Sequence, residues 1–252
     1  MSSQGQKQEQ RYQETALCLS PETVEKICLE MRPRGSADLR NKFANPTPLS
    51  LIGFLLSMTP TSCVLLGWGK TTILNGLAGP MFACGGLLMI LGGFMEFFLG
   101  NTFPFMVFTS FGGFWMAFSL MFVPATSGLA AFGDDLSPYY GSIGFYLVFW
   151  ALLVFLFLIA STKTNVAFFL TFLAADTAFC CLSASYFMTS HGHVTMAGNL
   201  QKAGGASALI TSICAWYILA TQIFQSVGLP FNLPVGDLSC CWDKGAACKN
   251  QA

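Results

Sequence analysis

Two carboxylates stand inside otherwise uncharged apolar runs: Glu96 in GGFMEFFLGN and Asp176 in FLAADTAF. An acid in hydrocarbon costs about 3 kcal/mol even on the mildest scales, so it is retained for a partner, a polar cavity or a proton to carry. Both are candidates for proton coupling. Glu96 can instead hydrogen-bond the turn at Gly100–Asn101, and Asp176 can be held between helices. Amides and hydroxyls gather where apolar runs begin: Asn45 and Thr47, Asn101 and Thr102, and Asn165. His191 and His193 titrate near neutral pH but fall in a polar stretch, where a solvated loop is the plainer reading. Cys63, Cys84, Cys180, Cys181 and Cys214 lie within apolar runs, where cysteine behaves as a small hydrophobe. No C-x-x-C pair occurs, so we expect no metal site and no cofactor. Ser127 and the two histidines share no depth, so no nucleophile–base pair and no enzyme is expected.

Six long runs position these groups: Leu49–Trp68, Gly79–Leu99, Thr102–Val123, Ser142–Ser161, Val166–Phe187 and Ala203–Val227. About 20 residues at ~1.5 Å each span ~30 Å, one bilayer core. Only 10% of the 252 residues are charged and 54% are apolar. Backbone in lipid must satisfy itself, so the runs are helices; a barrel would show ~10-residue alternating segments. The fold class is an all-α membrane protein of six transmembrane helices. We expect a polar cytosolic leader at 1–42, a six-span domain at 43–228 and a cytosolic tail at 229–252. Within the leader, Ser20 followed by Pro21 and Glu22 predicts a short helix. Cys240–Cys241 in the tail could carry a lipid, although free thiols are the plainer reading.

Ten of the twelve basic residues fall in the leader, the stretch after the fourth run and the tail, leaving Lys70 and Lys202 on the other side. The positive-inside rule therefore puts both termini in the cytosol. Zero formal net charge excludes nucleic acid as an obvious partner.

A weak repeat runs through the spans. The first, third and fifth each open on an asparagine turn, at Asn45, Asn101 and Asn165, 56 and 64 residues apart. The chain reads as three helix hairpins, each starting at such a turn. Nine or ten residues further on stand Phe54, Phe111 and Ala175. Ten helical residues make ~15 Å, so these three share a depth near the bilayer centre and form a constriction if they face one axis.

The first span's NPTPLSL resembles the NPAPLGL signature of the acetate uptake transporter family, the succinate–acetate permeases. GFMEFFLGNTFPFMVFTSFGGFW is similar to that family's junction between second and third spans, and KAGGASALITSICAWY and LPVGDLS resemble its fungal branch. The likeness runs from Asn45 to Ser239.

This resemblance implies a homohexamer with a pore through each subunit. It also implies passage of acetate and related short monocarboxylates, as an anion channel or in symport with protons, at the plasma membrane. By motif, the family's narrow points fall on Phe54, Phe111 and Ala175. Here Thr47 replaces Ala, Ser50 replaces Gly, Phe111 replaces Tyr and Ala175 replaces Leu, which implies a wider, less polar waist. Asn45, Thr47, Asn101, Thr102 and Asn165 would line the substrate pathway. A nutrient sensor on the same scaffold, or export of ammonia or ammonium, are the competing readings.

Overall fold

The computed structural model describes residues 42–230 together with 234 and 236. The leader helix at Ser20 and the cysteines at 18, 28, 240, 241 and 248 lie outside the described residues. Every regular element among the described residues is helical, and six helices are long and apolar enough to cross a membrane. We label them α1 (Thr47–Leu65), α2 (Leu74–Phe98), α3 (Thr102–Leu120), α4 (Ser137–Ser161), α5 (Val166–Ser190) and α6 (Val194–Ser226).

The burial pattern is that of a bilayer protein. Ser50, Ser57, Thr61, Ser62, Ser119, Thr211, Ser212 and Glu96 are buried, while Phe145, Phe149, Leu152 and Leu156 form an exposed stripe on α4. Lipid gives no reason to hide leucine, and every reason to satisfy a hydroxyl internally. The hydroxyls do so on carbonyls. Ser57 Oγ donates to Pro80 O across α1–α2 at 3.1 Å, Ser183 to Gly144 O across α5–α4 at 2.9 Å, and Ser185 to Ala197 O across α5–α6 at 2.7 Å.

Helices consecutive in sequence pack side by side except for α3 and α4, and α6 closes back on α1. The α3–α4 junction is filled by aromatic rings, including Phe111 on Trp150 at 5.6 Å and Phe114 on Tyr146 at 6.0 Å.

Where α1, α2 and α3 meet, glycines let backbones touch. A Cβ on Gly53 would stand 2.5 Å from Cys84 O, and one on Gly85 2.6 Å from Trp115 Cγ. Residues Met81–Leu88 of α2 are wound as a π-helix within this contact.

Boundaries differ from the apolar runs in one instructive place. The sixth run predicts a helix from Ala203, yet α6 begins at Val194 and has 33 residues. At ~1.5 Å each it is about 50 Å long, so its first turns, with Asn199, Gln201 and Lys202, extend past an apolar slab. The expected histidine loop shrinks to a tight turn, in which His191 caps α5 and His193 caps α6.

Candidate functional site

Phe54, Phe111 and Ala175 line one cavity. They are 8%, 6% and 4% exposed, so all three face the bundle interior. The Phe54 and Phe111 rings meet edge to face with centroids 6.3 Å apart. Phe111 is further braced by Phe157 at 6.4 Å and Phe179 at 6.3 Å. Free volume is about 40 Å³, with Leu51, Phe108 and Phe172 completing an apolar wall. That is room for about three waters. Thr171 and Thr211 are the polar members, and both spend their protons on carbonyls of their own helices, Ala167 O and Ser207 O.

A second cavity of about 40 Å³ lies further toward the α3–α4 loop. Met58, Thr61, Phe114, Trp115, Phe118, Phe179 and Tyr186 are among its walls. Three of the first cavity's positions have a counterpart here about one turn along: Phe54 to Met58, Phe111 to Phe114, Ala175 to Ala178. Leu65, Leu74, Leu182 and Tyr186 are shared with a third space, a vestibule of about 420 Å³ at the loop end of the bundle. Thr72, Asn75, Tyr139, Tyr140, Ser185, Thr189 and Gln201 give it an uncharged, hydrogen-bonding lining. The three spaces follow one another as a file along the bundle, and the two inner ones, each about 40 Å³, are smaller and more apolar than the vestibule.

The asparagine turns do not share one role. Asn165 caps α5, its side chain accepting from Phe168 N at 2.9 Å. At α1 the cap position belongs to Pro46, and Asn45 stands exposed just before it. Asn101 precedes α3 without capping it through its side chain. Its amide instead donates to Glu96 Oε2.

Thr47 Oγ1 donates to the other carboxyl oxygen of Glu96, which is fully buried. Glu96 therefore ties the start of α1 to the start of α3. Thr102 is exposed at the first turn of α3. None of Asn45, Thr47, Asn101, Thr102 and Asn165 is among the residues lining the three cavities.

Asp176, next to Ala175 in sequence, is rotated off the file and lines none of the three spaces. It is half-buried beside exposed Leu173, Thr177 and Cys180, and its Oδ1 is buried without a hydrogen-bond partner. Asp135, at the loop end ahead of α4, accepts from Ser137 N at 3.0 Å, and that bond holds its carboxyl below the ordinary range.

Sequence reasoning missed the vestibule tyrosines and Trp115. Tyr139–Tyr140 opens one helix and Tyr186 nearly closes the next. An antiparallel pairing of α4 and α5 would have put them at one level.

Comparison with known proteins adds a family profile, three relatives and one solved structure. The sequence profile described as the GPR1/FUN34/yaaH family matches residues 29–240. Protein alcS of Aspergillus fumigatus is 36% identical over 92% of this chain and 89% of its own length. Acetate permease A of Emericella nidulans is 35% identical over 77% of this chain and 66% of its own. Ammonia transport outward protein 2 of Saccharomyces cerevisiae is 34% identical over 78% and 69%. Among solved structures, the bacterial acetate channel SatP superposes with a TM-score of 0.63 at 22% identity, covering 77% of this chain and 99% of SatP. That likeness establishes the six-helix fold.

Proposed function

The chain belongs to the GPR1/FUN34/yaaH family, and from that premise we propose that it carries acetate and related short monocarboxylic acids across a membrane. The observation carrying this reading is the file of three cavities that meets Phe54, Phe111 and Ala175 at its inner end. Relatives at 35% and 34% identity whose names specify acetate and ammonia transport support passage of a small solute. The solute crosses as the uncharged acid, taking its proton along. A bare carboxylate in an apolar cavity would lose its water with nothing to replace it. Acetate is favoured over ammonia because Thr72, Tyr140 and Gln201 bring donors to the vestibule, which suit carboxyl oxygens. The waist, with Ala175 and Phe111, admits propionate and lactate as well.

In this reading each subunit of a homohexamer carries its own path. The exposed α4 stripe faces lipid or a neighbouring copy. Both termini are cytosolic in the plasma membrane, as the basic residues direct. The leader at 1–42 and the tail at 229–252 flank the six-span domain at 43–228. Labelled acetate uptake by purified protein in liposomes tests the proposal, with methylammonium as the second solute. Saturable acetate uptake is expected. Methylammonium flux alone would move the function to ammonia, and no flux of either would favour a sensor.

A further inference from the structure

The vestibule at the loop end holds about 420 Å³, against about 40 Å³ for each inner space. Its walls are of two kinds. Phe122, Tyr139, Tyr140 and Tyr186 supply rings, with Tyr139 and Tyr140 centred 5.7 Å apart and Tyr140 and Tyr186 6.3 Å apart. Polar side chains complete the lining, and several are already engaged. Asn75 donates to Phe122 O at 2.6 Å, Tyr139 to Met121 O at 3.0 Å, Ser185 to Ala197 O at 2.7 Å and Thr189 to Ser185 O at 2.9 Å. Thr72, Tyr140 and Gln201 differ: among the described residues their side chains make no hydrogen bond. These donors come from separate parts of the chain, the α1–α2 connection, the first turn of α4 and the early part of α6. Gln201 lies ahead of the sixth apolar run, so the early start of α6 is what brings it to this wall. Thr72 and Ile73 are exposed, so the space is open to water. Among the described residues no charged side chain lines it, which speaks against a phosphate or a metal ion as its occupant. Rings beside unspent neutral donors suit a planar molecule that ends in a carboxyl.

We propose that the vestibule is a binding site for aromatic monocarboxylic acids. The ring lies among the tyrosines and Phe122, and the carboxyl accepts from the Tyr140 O–H and the Gln201 amide, with Thr72 as a third donor. A carboxyl has two oxygens, each able to accept, so one group engages donors from two helices. A cavity of about 150 Å³ takes a benzene ring, so the vestibule has room for ring and carboxyl together and neither inner space has room for the ring. Such an acid stops at the vestibule and stands in the way of acetate. Occupancy of the site does not depend on the transport reading; competition with acetate rests on it.

The test titrates full-length protein in nanodiscs with benzoate by calorimetry at neutral pH, with empty nanodiscs as the blank. Saturable binding at one site is expected. Tyr140→Phe and Gln201→Leu each remove a donor that bonds nothing in the protein, so each should raise Kd about 3- to 10-fold while the melting temperature holds. Tyr139→Phe is the matched contrast. It keeps its ring and loses a hydroxyl already spent on Met121 O, so it should lower the melting temperature and leave Kd within about twofold. In liposomes, benzoate should compete with labelled acetate for uptake. Heat no different from the blank overturns the site, as does a Kd unchanged in both donor variants. A rise in Kd matched by a loss of thermal stability in those variants also overturns it, because that marks a packing role. Saturable binding that leaves acetate uptake untouched would place the acid elsewhere and overturn it too. Benzoate binding of the expected pattern in a wild-type protein that takes up no acetate would support the site and sink the transport reading alone, so the two failures are distinguishable.

Discussion

Glu96 does structural work that its position alone does not announce. Its two oxygens accept from Thr47 and Asn101, and it has no exposed surface. Removing the acceptor breaks both bonds, whereas removing one donor breaks a single one. Thr47→Ala should therefore destabilise by roughly 1–2 kcal/mol and Glu96→Ala by distinctly more, read as melting temperature in detergent. Equal melting for wild type and Glu96→Ala would show that the tie is not made.

At the proposed waist the residue to test is Ala175, which lines the same cavity as the Phe54–Phe111 pair. Ala175→Leu should cut uptake of propionate and lactate about tenfold more than that of acetate. One or two methylenes in a closed apolar site are worth 1–3 kcal/mol. Competition assays with unlabelled acids give that ratio, and an unchanged ratio would remove Ala175 from selectivity.

Counting from helix starts picks out Phe54, Phe111 and Ala175, and these three line one cavity. Counting says nothing of azimuth. Asp176 follows Ala175, but one residue is a turn of ~100° on a helix, which carries its carboxyl off the file.

At the scale of elements, hydrophobic length named six spans because a bilayer imposes one thickness on them all. It placed the start of α6 poorly, since a helix may continue in water where hydropathy has no opinion. Residue type alone did not reveal which glycines were structural. Gly53 meets the α2 backbone at Cys84 O, 2.5 Å from where a Cβ would be, while Gly113 has nothing within 4 Å. Gly53→Ala must push α1 from α2 and should cost about 1–3 kcal/mol, in the range of overpacked cores. Gly113→Ala, mid-helix and unobstructed, should be neutral or slightly stabilising. Thermal melting of the pair separates close helix packing from simple helix propensity; similar effects at the two sites would contradict the tight α1–α2 contact.

The same pattern recurs at Gly85, set against Trp115 and Ser57. The π-helical stretch thus sits beside the cavity file and fixes where Trp115 stands. Asp135 shows the opposite, solvent-facing case. Its bond from Ser137 N lowers its carboxyl pKa, so what it adds at the start of α4 is present above the ordinary carboxylate range and fades as pH falls through the lowered value.

For the molecule as a whole, the central fact is that the path carries no formal charge. Among the described residues the lining of the three cavities includes no Asp, Glu, Lys, Arg or His, and its ionisable members are Tyr139, Tyr140 and Tyr186. A phenol is a neutral donor at physiological pH. The nearby charges, Lys70, Asp134, Asp135, Lys202 and the two histidines, flank the vestibule in sequence without lining it. The cavity walls thus offer no acid or base that titrates between pH 5 and 7, and the pH dependence expected of transport is that of the solute.

A carboxylic acid of pKa ~4.3 is about one-sixth neutral at pH 5 and about one part in 500 neutral at pH 7. Expressed as total acetate, the apparent KM should rise about 80-fold across those two units. Expressed as neutral acid it should stay level. Asp176→Asn should leave that slope in place, because the carboxyl lies off the file. A KM in total acetate that is flat with pH would mean the anion crosses. A slope lost in Asp176→Asn would return the proton to a side chain of the protein. The 80-fold rise, kept in the variant, is the result expected of a passage that selects its solute by denying charge any partner.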